Sequence, residues 1–301
     1  MLQIKNTLGG GKPEGSYVWK KLSAQGGDFI DYVVSDKETA YPDGGEKGGY
    51  WYELYGKPPL KIVTWADGTD AEIVAMVNAA DNGEINLSDH WHVGDERQVT
   101  LSAMAATGVA ETHAEQTVTF VLMNSGGKTL ANATSSGRSE CSFIVGMKNG
   151  LAETGYINSS NTNSGGWESS KRRTWCNSVF RNAIPEVLRD IFKQHLNVTA
   201  NGNSTTTATS TDYFALPAEK EVFGSNTYAD STAEVSLSQF EYYKTSANRI
   251  KKTGDSGSAG RWWERSPGSG YSGSVCRVGS NGTAGISDAT KANLLAPFGV
   301  I

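Results

Sequence analysis

The sequence predicts an α+β protein in two parts, a small antiparallel β module at residues 1–57 and a larger domain at residues 58–301. Three observations predict this class and division. Runs rich in β-branched and aromatic residues occur early and late in the chain, amphipathic helical patterns lie between them, and the pair Pro58 and Pro59 separates the two parts. The chain has 301 residues, which is long enough for one large domain or two smaller ones.

Three short β-rich runs define the N-terminal module. YVWKKLS at residues 17–23 and FIDYVVS at residues 29–35 are separated by a stretch that contains two adjacent glycines. These glycines supply a turn, and a third run, YWYELY at residues 50–55, follows a second glycine-rich break. The runs predict a small antiparallel sheet. Because so few residues bury little apolar surface, we expect this sheet to dock on a neighbouring domain, a partner chain or a larger assembly.

The larger domain opens with a predicted helix at residues 70–83, in which Asp70 is the expected N-cap and Gly83 lies near the end. The apolar stripe that predicts this helix consists of Ile73, Val74, Val77 and Ala80. Three β-rich runs then predict strands at residues 98–104, 116–124 and 141–147.

Three further helices are predicted in the second half of the chain. The run at residues 169–183 places Trp175, Val179 and Phe180 on one side, and the run at residues 233–246 is predicted as a further helix. Between them, residues 184–196 carry an early proline and an apolar side formed by Val187, Leu188, Ile191 and Leu196. The polar stretch at residues 197–212 predicts a surface excursion or the tip of a hairpin.

Charge and hydropathy exclude several classes of function. The net charge of −5 argues against a nucleic-acid-binding surface, and the basic pairs at residues 172–173 and 251–252 are isolated, so we expect them to be solvated or locally ion-paired. Residues 1–16 do not resemble a signal peptide, and no apolar run approaches the length of a membrane span. We therefore expect synthesis in the cytosol and no membrane insertion.

The sequence offers no convincing metal or cofactor site. Cys141, Cys176 and Cys276 are odd in number and widely spaced, which favours buried free thiols over disulfides or a zinc site. His90 and His92 would share one face of a strand, the minimum for a metal pair, but no third ligand is signalled nearby. We expect two exposed histidines on either side of a buried tryptophan, and neither metal nor cofactor.

Candidate catalytic residues are equally sparse. Glu219, Glu221 and Glu264 could in principle supply the carboxylate pair of a glycoside hydrolase, but surface or buried ion-paired carboxylates are the favoured interpretation. The stretch GDSGS at residues 254–258 looks like the serine motif of trypsin-type proteases, yet the histidine site and β-barrel of that family are missing. The sequence therefore predicts no catalytic residues and no enzyme activity.

Six separated motifs occur in order over residues 60–301: HWHVGDERQVTL, GGWESSKRRTWCNSVF, FALPAEKEVFG, QFEYY, RWWERSPGSG and APFGVI. Together they resemble a family of phage- and prophage-associated domains without assigned enzymatic activity, which ends in a fold similar to the C-type lectin and formylglycine-generating-enzyme scaffold. The N-terminal module separately resembles small modules of phage tail and fibre proteins.

The segment at about residues 261–293 resembles the variable part of C-type-lectin-like proteins that retroelements diversify. Its small polar residues would give a shallow, adaptable surface with Tyr271 as a rigid contact. The large residues on either side, Trp262, Trp263, Pro297, Phe298, Val300 and Ile301, would be buried anchors. The ligand-binding residues that the resemblance implies are Gly268, Ser269, Gly270, Tyr271, Ser272, Gly273, Arg277, Gly279, Asn281, Thr283, Gly285, Ile286 and Asp288.

The resemblance implies a non-catalytic ligand- or receptor-binding protein at a phage tail tip. Its C-terminal surface would contact a protein or glycan of the host-cell surface, and its N-terminal module would attach it to other virion proteins, as a homotrimer. Three alternatives stay open: an architectural virion protein, an enzyme on a formylglycine-generating-enzyme-like scaffold, and a glycine-rich surface meander that binds nothing. The cysteines cannot be matched to the reactive cysteine pair of that enzyme scaffold.

Overall fold

The computed structural model of the chain describes residues 17–35, 45–56 and 60–301. Outside these residues lie residues 1–16, which were predicted not to be a signal peptide, and the pair Pro58 and Pro59, which was predicted to separate the two parts. The chain divides into two units at residues 61 and 62, a few residues after the predicted boundary. No helix within the described stretches is long and apolar enough to cross a bilayer.

The N-terminal unit contains a four-stranded antiparallel sheet with the strand order β2-β1-β4-β3. All three predicted strands are confirmed, and a short fourth strand joins them. The turn between this extra strand and the next consists of Gly48 and Gly49, whose φ angles of +61° and +79° are left-handed, as a tight hairpin turn requires. The strands are β1 (Tyr17–Leu22), β2 (Phe29–Ser35), β3 (Gly45–Lys47) and β4 (Tyr50–Gly56).

The second unit is α+β, as predicted, with short helices between antiparallel sheets. Its helices are α1 (Asp70–Asp81), α2 (Lys171–Trp175), α3 (Arg181–Ala183), α4 (Glu186–Arg189), α5 (Glu219–Phe223) and α6 (Glu241–Lys244). Its strands are β5 (Glu96–Leu101), β6 (Gln116–Ser125), β7 (Phe143–Met147), β8 (His195–Ala200), β9 (Thr207–Asp212), β10 (Phe214–Ala215), β11 (Lys251–Lys252), β12 (Ala259–Gly260), β13 (Trp262–Pro267), β14 (Ser274–Val278), β15 (Ala284–Asp288) and β16 (Phe298–Val300).

The main sheet of this unit has five antiparallel strands in the order β10-β16-β7-β6-β5. All five residues of β7 are buried, which explains why its sequence is continuously apolar rather than alternating. The last strand, β16, lies between β10 and β7, so the end of the chain is inside the sheet. Ile301 accepts a backbone hydrogen bond from Ser142 and donates one to Phe143.

The predicted helix at residues 70–83 is confirmed as α1, but its N-cap is Thr69 rather than Asp70. The Thr69 hydroxyl accepts a hydrogen bond from the Glu72 amide, and the Glu72 carboxylate accepts one from the Thr69 amide. This capping box satisfies two amides that the helix itself leaves unpaired. Asp70 instead forms an ion pair with Arg97 of β5.

The predicted helix at residues 169–183 is confirmed, with one π-helical turn, Cys176–Phe180, between α2 and α3. Trp175 and Phe180 are buried as expected. The solvated interpretation of the basic pair is wrong for Arg172, which is completely buried and donates to the carbonyl oxygens of Tyr156 and Val109. Five guanidinium N–H donors can satisfy backbone carbonyls inside the protein where an anionic partner is missing.

The predicted helix at residues 184–196 is wrong, because the helix ends after four residues as α4 and the chain then enters β8. Val187, predicted to face inward, is 48% exposed. The polar stretch that follows is a hairpin, as expected, with its tip between β8 and β9. It is not a surface excursion, since Asn197 and Asp212 in its strands are fully buried.

The predicted helix at residues 233–246 is also wrong over most of its length, since only α6 is helical there. Part of the backbone of this segment bonds to other elements. The Lys220 ammonium donates a hydrogen bond to the Val235 carbonyl, and the Phe240 amide donates one to the Glu221 carbonyl. Tertiary hydrogen bonds therefore override the helical pattern of the sequence.

The aromatic residues that flank the C-terminal glycine-rich stretch are buried, as predicted. Trp262, Trp263 and Phe298 have no exposed surface, and the Trp262 indole donates a hydrogen bond of 2.8 Å to the Arg249 carbonyl. These side chains therefore anchor both ends of the stretch in the core.

Truncation of an anchor tests this arrangement. Trp262→Ala or Phe298→Ala should lower the free energy of unfolding by about 3–5 kcal/mol, because each leaves a large cavity. Urea denaturation measures this value. Val235→Ala is the control, since Val235 is 68% exposed and its truncation should change the stability by no more than about 0.5 kcal/mol. Equal stability of the Trp262→Ala and Val235→Ala proteins would contradict the anchor role.

Candidate binding surface

The glycine- and serine-rich stretch forms a three-stranded antiparallel sheet, β13-β14-β15. All six residues of β13 are buried, whereas β15 is an edge strand with half-exposed side chains. The register pairs Cys276 with Ile286 and Arg277 with Gly285. The stretch is therefore an ordered sheet with two connecting loops, at residues 268–273 and 279–283.

The first loop is held in place by one buried side chain from elsewhere in the chain. The Asn163 amide donates hydrogen bonds to the carbonyl oxygens of Tyr271 at 2.7 Å and Ser274 at 2.8 Å, and it lies 3.4 Å from that of Gly268. The Asn163 backbone amide is a further donor to the loop, since it donates to the Ser272 carbonyl. These bonds use only backbone atoms of the loop, so they do not depend on the loop's side chains.

Two more groups from outside the loop bind its backbone. The Gly270 amide donates to the Asn203 side chain at 2.7 Å, and the Ser269 amide donates to the Tyr228 carbonyl at 2.7 Å. The Tyr228 segment is itself fixed by Glu219, whose buried carboxylate accepts backbone hydrogen bonds from residues 227–229. Burial raises the pKa of Glu219, and these hydrogen bonds oppose the rise.

The second loop is held mainly by its own turn. The Asn281 side chain accepts hydrogen bonds from the amide and the hydroxyl of Thr283, and the Gly279 amide donates to the Thr283 carbonyl at 2.6 Å. Gly282 has a left-handed φ of +81°, which favours glycine at this point of the turn. A Cβ on Gly282 would also lie 3.1 Å from Ile250.

The structure separates the predicted binding residues by exposure. The exposed ones are Ser269, Gly270, Tyr271, Ser272, Asn281, Thr283 and Asp288; the half-buried ones are Gly273, Arg277 and Ile286; and the buried ones are Gly268, Gly279 and Gly285. The three buried glycines have no side chain and are covered by other residues, so they offer little surface to a ligand. Gly285 is instead covered by the Arg277 guanidinium, since a Cβ at Gly285 would lie 2.9 Å from its central carbon.

The exposed residues lie at two ends of the sheet and do not form one patch. The loops at residues 268–273 and 279–283 are joined by the five residues of β14, which span about 17 Å at about 3.4 Å per residue. Asp288 belongs with the first loop, because the register pairs it with Ser274. The first loop and Asp288 therefore form the larger exposed cluster, with Tyr271 52% exposed at its centre.

The residues that support this cluster were not predicted from the sequence. Asn163 and Asn203 lie in polar stretches rich in asparagine and serine, where nothing distinguishes a buried amide from a solvated one. Asn161, whose side chain accepts a hydrogen bond from the Ala289 amide, lies in the same stretch as Asn163. Their partners are more than 60 residues away in sequence, so no local pattern signals the contacts.

The three glutamates considered for catalysis have three different environments. Glu221 is a buried ion-paired carboxylate, as expected, bound to Lys128 and Arg265. Although burial opposes it, these two cations lower the pKa of Glu221 to about 2. Glu219 bonds to backbone amides instead of a cation. Glu264 is buried and forms no ion pair with the described residues, and burial raises its pKa well above the usual value.

The cysteines are buried free thiols, as predicted. Burial raises the pKa of the Cys141 thiol to about 11 and that of Cys176 to about 12, and it raises that of Cys276 well above the usual value. Trp91 is buried, with His92 exposed and His90 half-buried beside it. Across the described residues, no three histidine, cysteine or acidic side chains are grouped so that they could hold a metal ion.

The stretch GDSGS connects β11 to β12 and has a structural role. Asp255 accepts hydrogen bonds from the Thr119 hydroxyl at 2.7 Å and the Asn149 amide at 3.0 Å. It therefore ties this connection to the main sheet through Thr119 of β6.

Lys251 is a buried cation without an anionic partner among the residues that the structure describes. Its ammonium donates to the carbonyl oxygens of Met147 at 2.6 Å and Lys148 at 3.0 Å, and it lies 5.1 Å from the centre of the Trp262 ring. Burial lowers its pKa from 10.5 to about 7. The expectation that the second basic pair is solvated or ion-paired is therefore wrong for Lys251, because two carbonyls and aromatic faces take the place of water.

The lowered pKa predicts an unusual dependence of stability on pH. Above pH 7 the folded protein loses the Lys251 proton while the unfolded chain keeps it up to about pH 10.5, so stability rises with pH in this window. The free energy of unfolding should increase by up to about 1.4 kcal/mol per pH unit between about pH 7 and 8.5. Urea denaturation across this range measures it. Lys251→Met should flatten the slope between pH 7 and 8, and Lys252→Met should keep it. Above pH 8 a slope remains, because the pKa of the buried Lys128 is also lowered, to about 8. A slope between pH 7 and 8 that survives Lys251→Met contradicts the assignment.

The role of Asn163 can be tested without changing its size. Asn163→Asp replaces the amide donor with a carboxylate oxygen facing two carbonyl oxygens, so it should cost about 1–3 kcal/mol of stability. It should also speed hydrogen–deuterium exchange at residues 268–273. Asn161→Asp is the matched control, because its oxygen only accepts a hydrogen bond and an aspartate can do the same. Unchanged exchange in the Asn163→Asp loop would show that the loop is held by other contacts.

The comparisons with known proteins concern the part of the chain that carries this surface. Residues 144–295, about half of the chain, match the family described as a domain of unknown function (DUF6273). The match includes all of the three-stranded sheet, both of its loops and the supporting asparagines. No curated protein and no solved structure matches the chain. The chain therefore belongs to the DUF6273 family.

Proposed function

We propose that the chain is a non-catalytic ligand-binding protein whose contact surface is the loop at residues 268–273 together with Asp288. One observation carries this proposal: the loop's backbone is held by Asn163, Asn203 and Tyr228, which lie outside it. Because those bonds reach only backbone atoms, the loop side chains are free to contact a ligand. A surface whose side chains contribute little to folding is suited to recognition.

The shape of the loop supports the same function. Tyr271 presents a large, rigid side chain with few rotatable bonds, a type that is enriched in binding surfaces. It is flanked by Gly270 and Ser272, and a Cβ at Gly270 would meet nothing within 4 Å. The surface therefore has an aromatic contact surrounded by open space for ligand groups.

The proposal includes the setting that the sequence resemblance implies. The domain would be C-type-lectin-like, its C-terminal segment would be diversified by a retroelement, and the ligand would be a protein or glycan on a host cell. The N-terminal sheet would attach the protein to other proteins of a phage tail, and a homotrimer would add avidity to weak single sites. Support comes from the order of the sequence motifs and from buried anchors on both sides of a small-residue surface.

An enzyme on a formylglycine-generating-enzyme-like scaffold is the less favoured alternative. That chemistry needs reactive thiolates, whereas burial raises the pKa of Cys141 and Cys176 to about 11 and 12. The three cysteines also lie in different elements, before β7, in the π-helical turn and in β14. An architectural virion protein without a ligand is the second alternative, and a binding experiment separates it from the proposal.

Binding and stability should respond differently to loop substitutions. Tyr271→Ala should leave the free energy of unfolding within about 0.5 kcal/mol of the unsubstituted protein, because the side chain is exposed. It should weaken binding of the fluorescently labelled chain to intact bacterial cells or an arrayed glycan by about 10-fold or more, since few contacts dominate an interface. Asp288→Ala should act in the same direction. Thermal melting and cell or glycan binding are measured on the same samples.

Val187→Ala is the matched control, since Val187 has a similar exposed fraction and lies in α4. It should change neither stability nor binding. An unsubstituted protein that binds no cell and no glycan would favour the architectural alternative. A Tyr271→Ala protein that unfolds would show that the loop is part of the core. A reverse-transcriptase gene beside this one, with a near-repeat of the C-terminal coding segment, would support diversification.

A further inference from the structure

A cavity of about 400 Å³ lies beside the first strand of the three-stranded sheet. It opens between the end of β12, the start of β13 and the segment that precedes β16. Gly260, Ala292 and Leu294 supply its apolar part. Its polar lining consists of Arg261, Lys291, Asn293, Ser287, Thr154 and Thr253. Every one of these side chains can donate a hydrogen bond, and none is a carboxylate.

The two cations in this lining have no anionic partner in the described stretches of the chain. Arg261 and Lys291 are exposed, and neither forms an ion pair or a side-chain hydrogen bond with any residue that the structure describes. In a chain of net charge −5, two unpaired cations in one cavity are a local excess of positive charge. Such an excess raises the local concentration of anions.

A buried amide adds a donor that lacks a partner. Asn293 is 5% exposed, and its side-chain nitrogen is buried without a hydrogen-bond acceptor in the described part of the chain. The Asn293 backbone is fully engaged, because it exchanges two hydrogen bonds with Gly155. A buried donor without an acceptor costs stability unless a ligand or water satisfies it. The cavity therefore offers a preformed donor beside its two cations.

A third guanidinium lies near the first. Burial lowers the pKa of Arg277, and repulsion from Arg261 lowers it further. Arg277 also has no ion pair with the described residues, and its buried Nε lacks a partner. An anion between these groups would relieve the repulsion between the two guanidinium charges.

Two of the carboxylates near the cavity in sequence are engaged elsewhere, and a third, Asp288, follows Ser287 directly in β15, where successive side chains point to opposite faces of the sheet. Glu153, the neighbour of Thr154, lies 2.9 Å from the His113 ring nitrogen and accepts a hydrogen bond from Gln116. Asp255, two residues after Thr253, is bound to Thr119 and Asn149. The positive charge of the cavity is therefore not neutralised by these two groups.

We propose that this cavity, which we call the Arg261 site, binds the anionic group of a small polyol or sugar, either a phosphate or a carboxylate. Arg261 supplies a fork of parallel N–H donors, Lys291 supplies a compact charge, and the Asn293 amide supplies the buried donor. The serine and threonine hydroxyls are suited to the neutral hydroxyl groups of the same ligand. This inference goes beyond the proposed function, because it uses none of the side chains at residues 268–273.

Calorimetric titration of the full chain at low ionic strength tests the Arg261 site. The probes are glycerol 3-phosphate, glucuronate and uncharged glycerol. We expect at least one of the two anions to bind and glycerol not to bind, and added salt should weaken the binding. Arg261→Gln should weaken it by about 10-fold or more, because a charge-assisted hydrogen bond is lost. Ser287→Asp should abolish it, because the new carboxylate repels the anion.

Lys252→Gln is the matched control, since it removes the same charge from an exposed lysine outside the cavity lining. It should change the affinity by less than about 2-fold at moderate salt. Binding of only one anion supports the site and identifies its source as a phosphate or an acidic sugar. The proposal is overturned if neither anion binds, or if binding survives both Arg261→Gln and Ser287→Asp in proteins with normal melting curves. Tyr271→Ala should bind the anion normally, so this result is independent of the loop's function.

Discussion

The fold of the larger unit depends on one buried carboxylate, Glu221, which joins three parts of the chain. It binds Lys128 from the segment after β6 and Arg265 from β13, and its other hydrogen bond caps its own helix, α5. None of these side chains is more than slightly exposed, so their charges are screened very little. Removing one partner from such a cluster leaves an uncompensated buried charge, which typically costs about 3–5 kcal/mol. The cluster therefore fixes β13 against the rest of the unit, and β13 carries the three-stranded sheet.

The same cluster extends to the polar hairpin. Lys128 also donates to Asn197 of β8 at 3.0 Å, and Asn197 donates to Asp212 of β9 at 3.1 Å.

Buried titratable groups beside this network make the stability depend on pH. Burial and the Lys128 charge lower the pKa of His195 from 6.5 to about 3. Below pH 6.5 the unfolded chain therefore binds a proton at His195 that the folded protein does not take up. Glu234 has the opposite effect on stability, because burial raises its pKa from 4.5 to about 7. Between these two pH values the folded protein binds a proton at Glu234 that the unfolded chain does not. Below pH 4.5 the unfolded chain binds protons at both His195 and Glu221 before the folded protein does, and this favours unfolding. The loss of stability in acid is therefore concentrated below pH 4.5.

Sequence patterns predicted the elements whose cause is local. Helix α1 follows from periodicity, strands β5 to β7 follow from runs rich in β-branched and aromatic residues, and the buried tryptophans of β13 follow from their size and position. Strand β8 was missed because its inward positions, His195, Asn197 and Thr199, are polar. The alternation of apolar and polar residues that predicts a half-buried strand is therefore missing from its sequence. The support of the binding loop was missed for a different reason. Asn163 and the residues it binds are more than 100 residues apart in sequence, and only the folded chain brings them together.

The two proposals assign different kinds of residue to different tasks on one sheet. The loop at residues 268–273 is held through its backbone, so its side chains could be replaced without disturbing β13 and β14. The Arg261 site has the opposite construction, because its buried donor, Asn293, is positioned by two backbone hydrogen bonds to Gly155 and cannot be exchanged without leaving a space. A ligand that reached both would gain charge attraction from a fixed site and selectivity from an exchangeable loop. Affinity would then persist through changes in the loop, whereas specificity would follow them, since the two sets of contacts share no side chain.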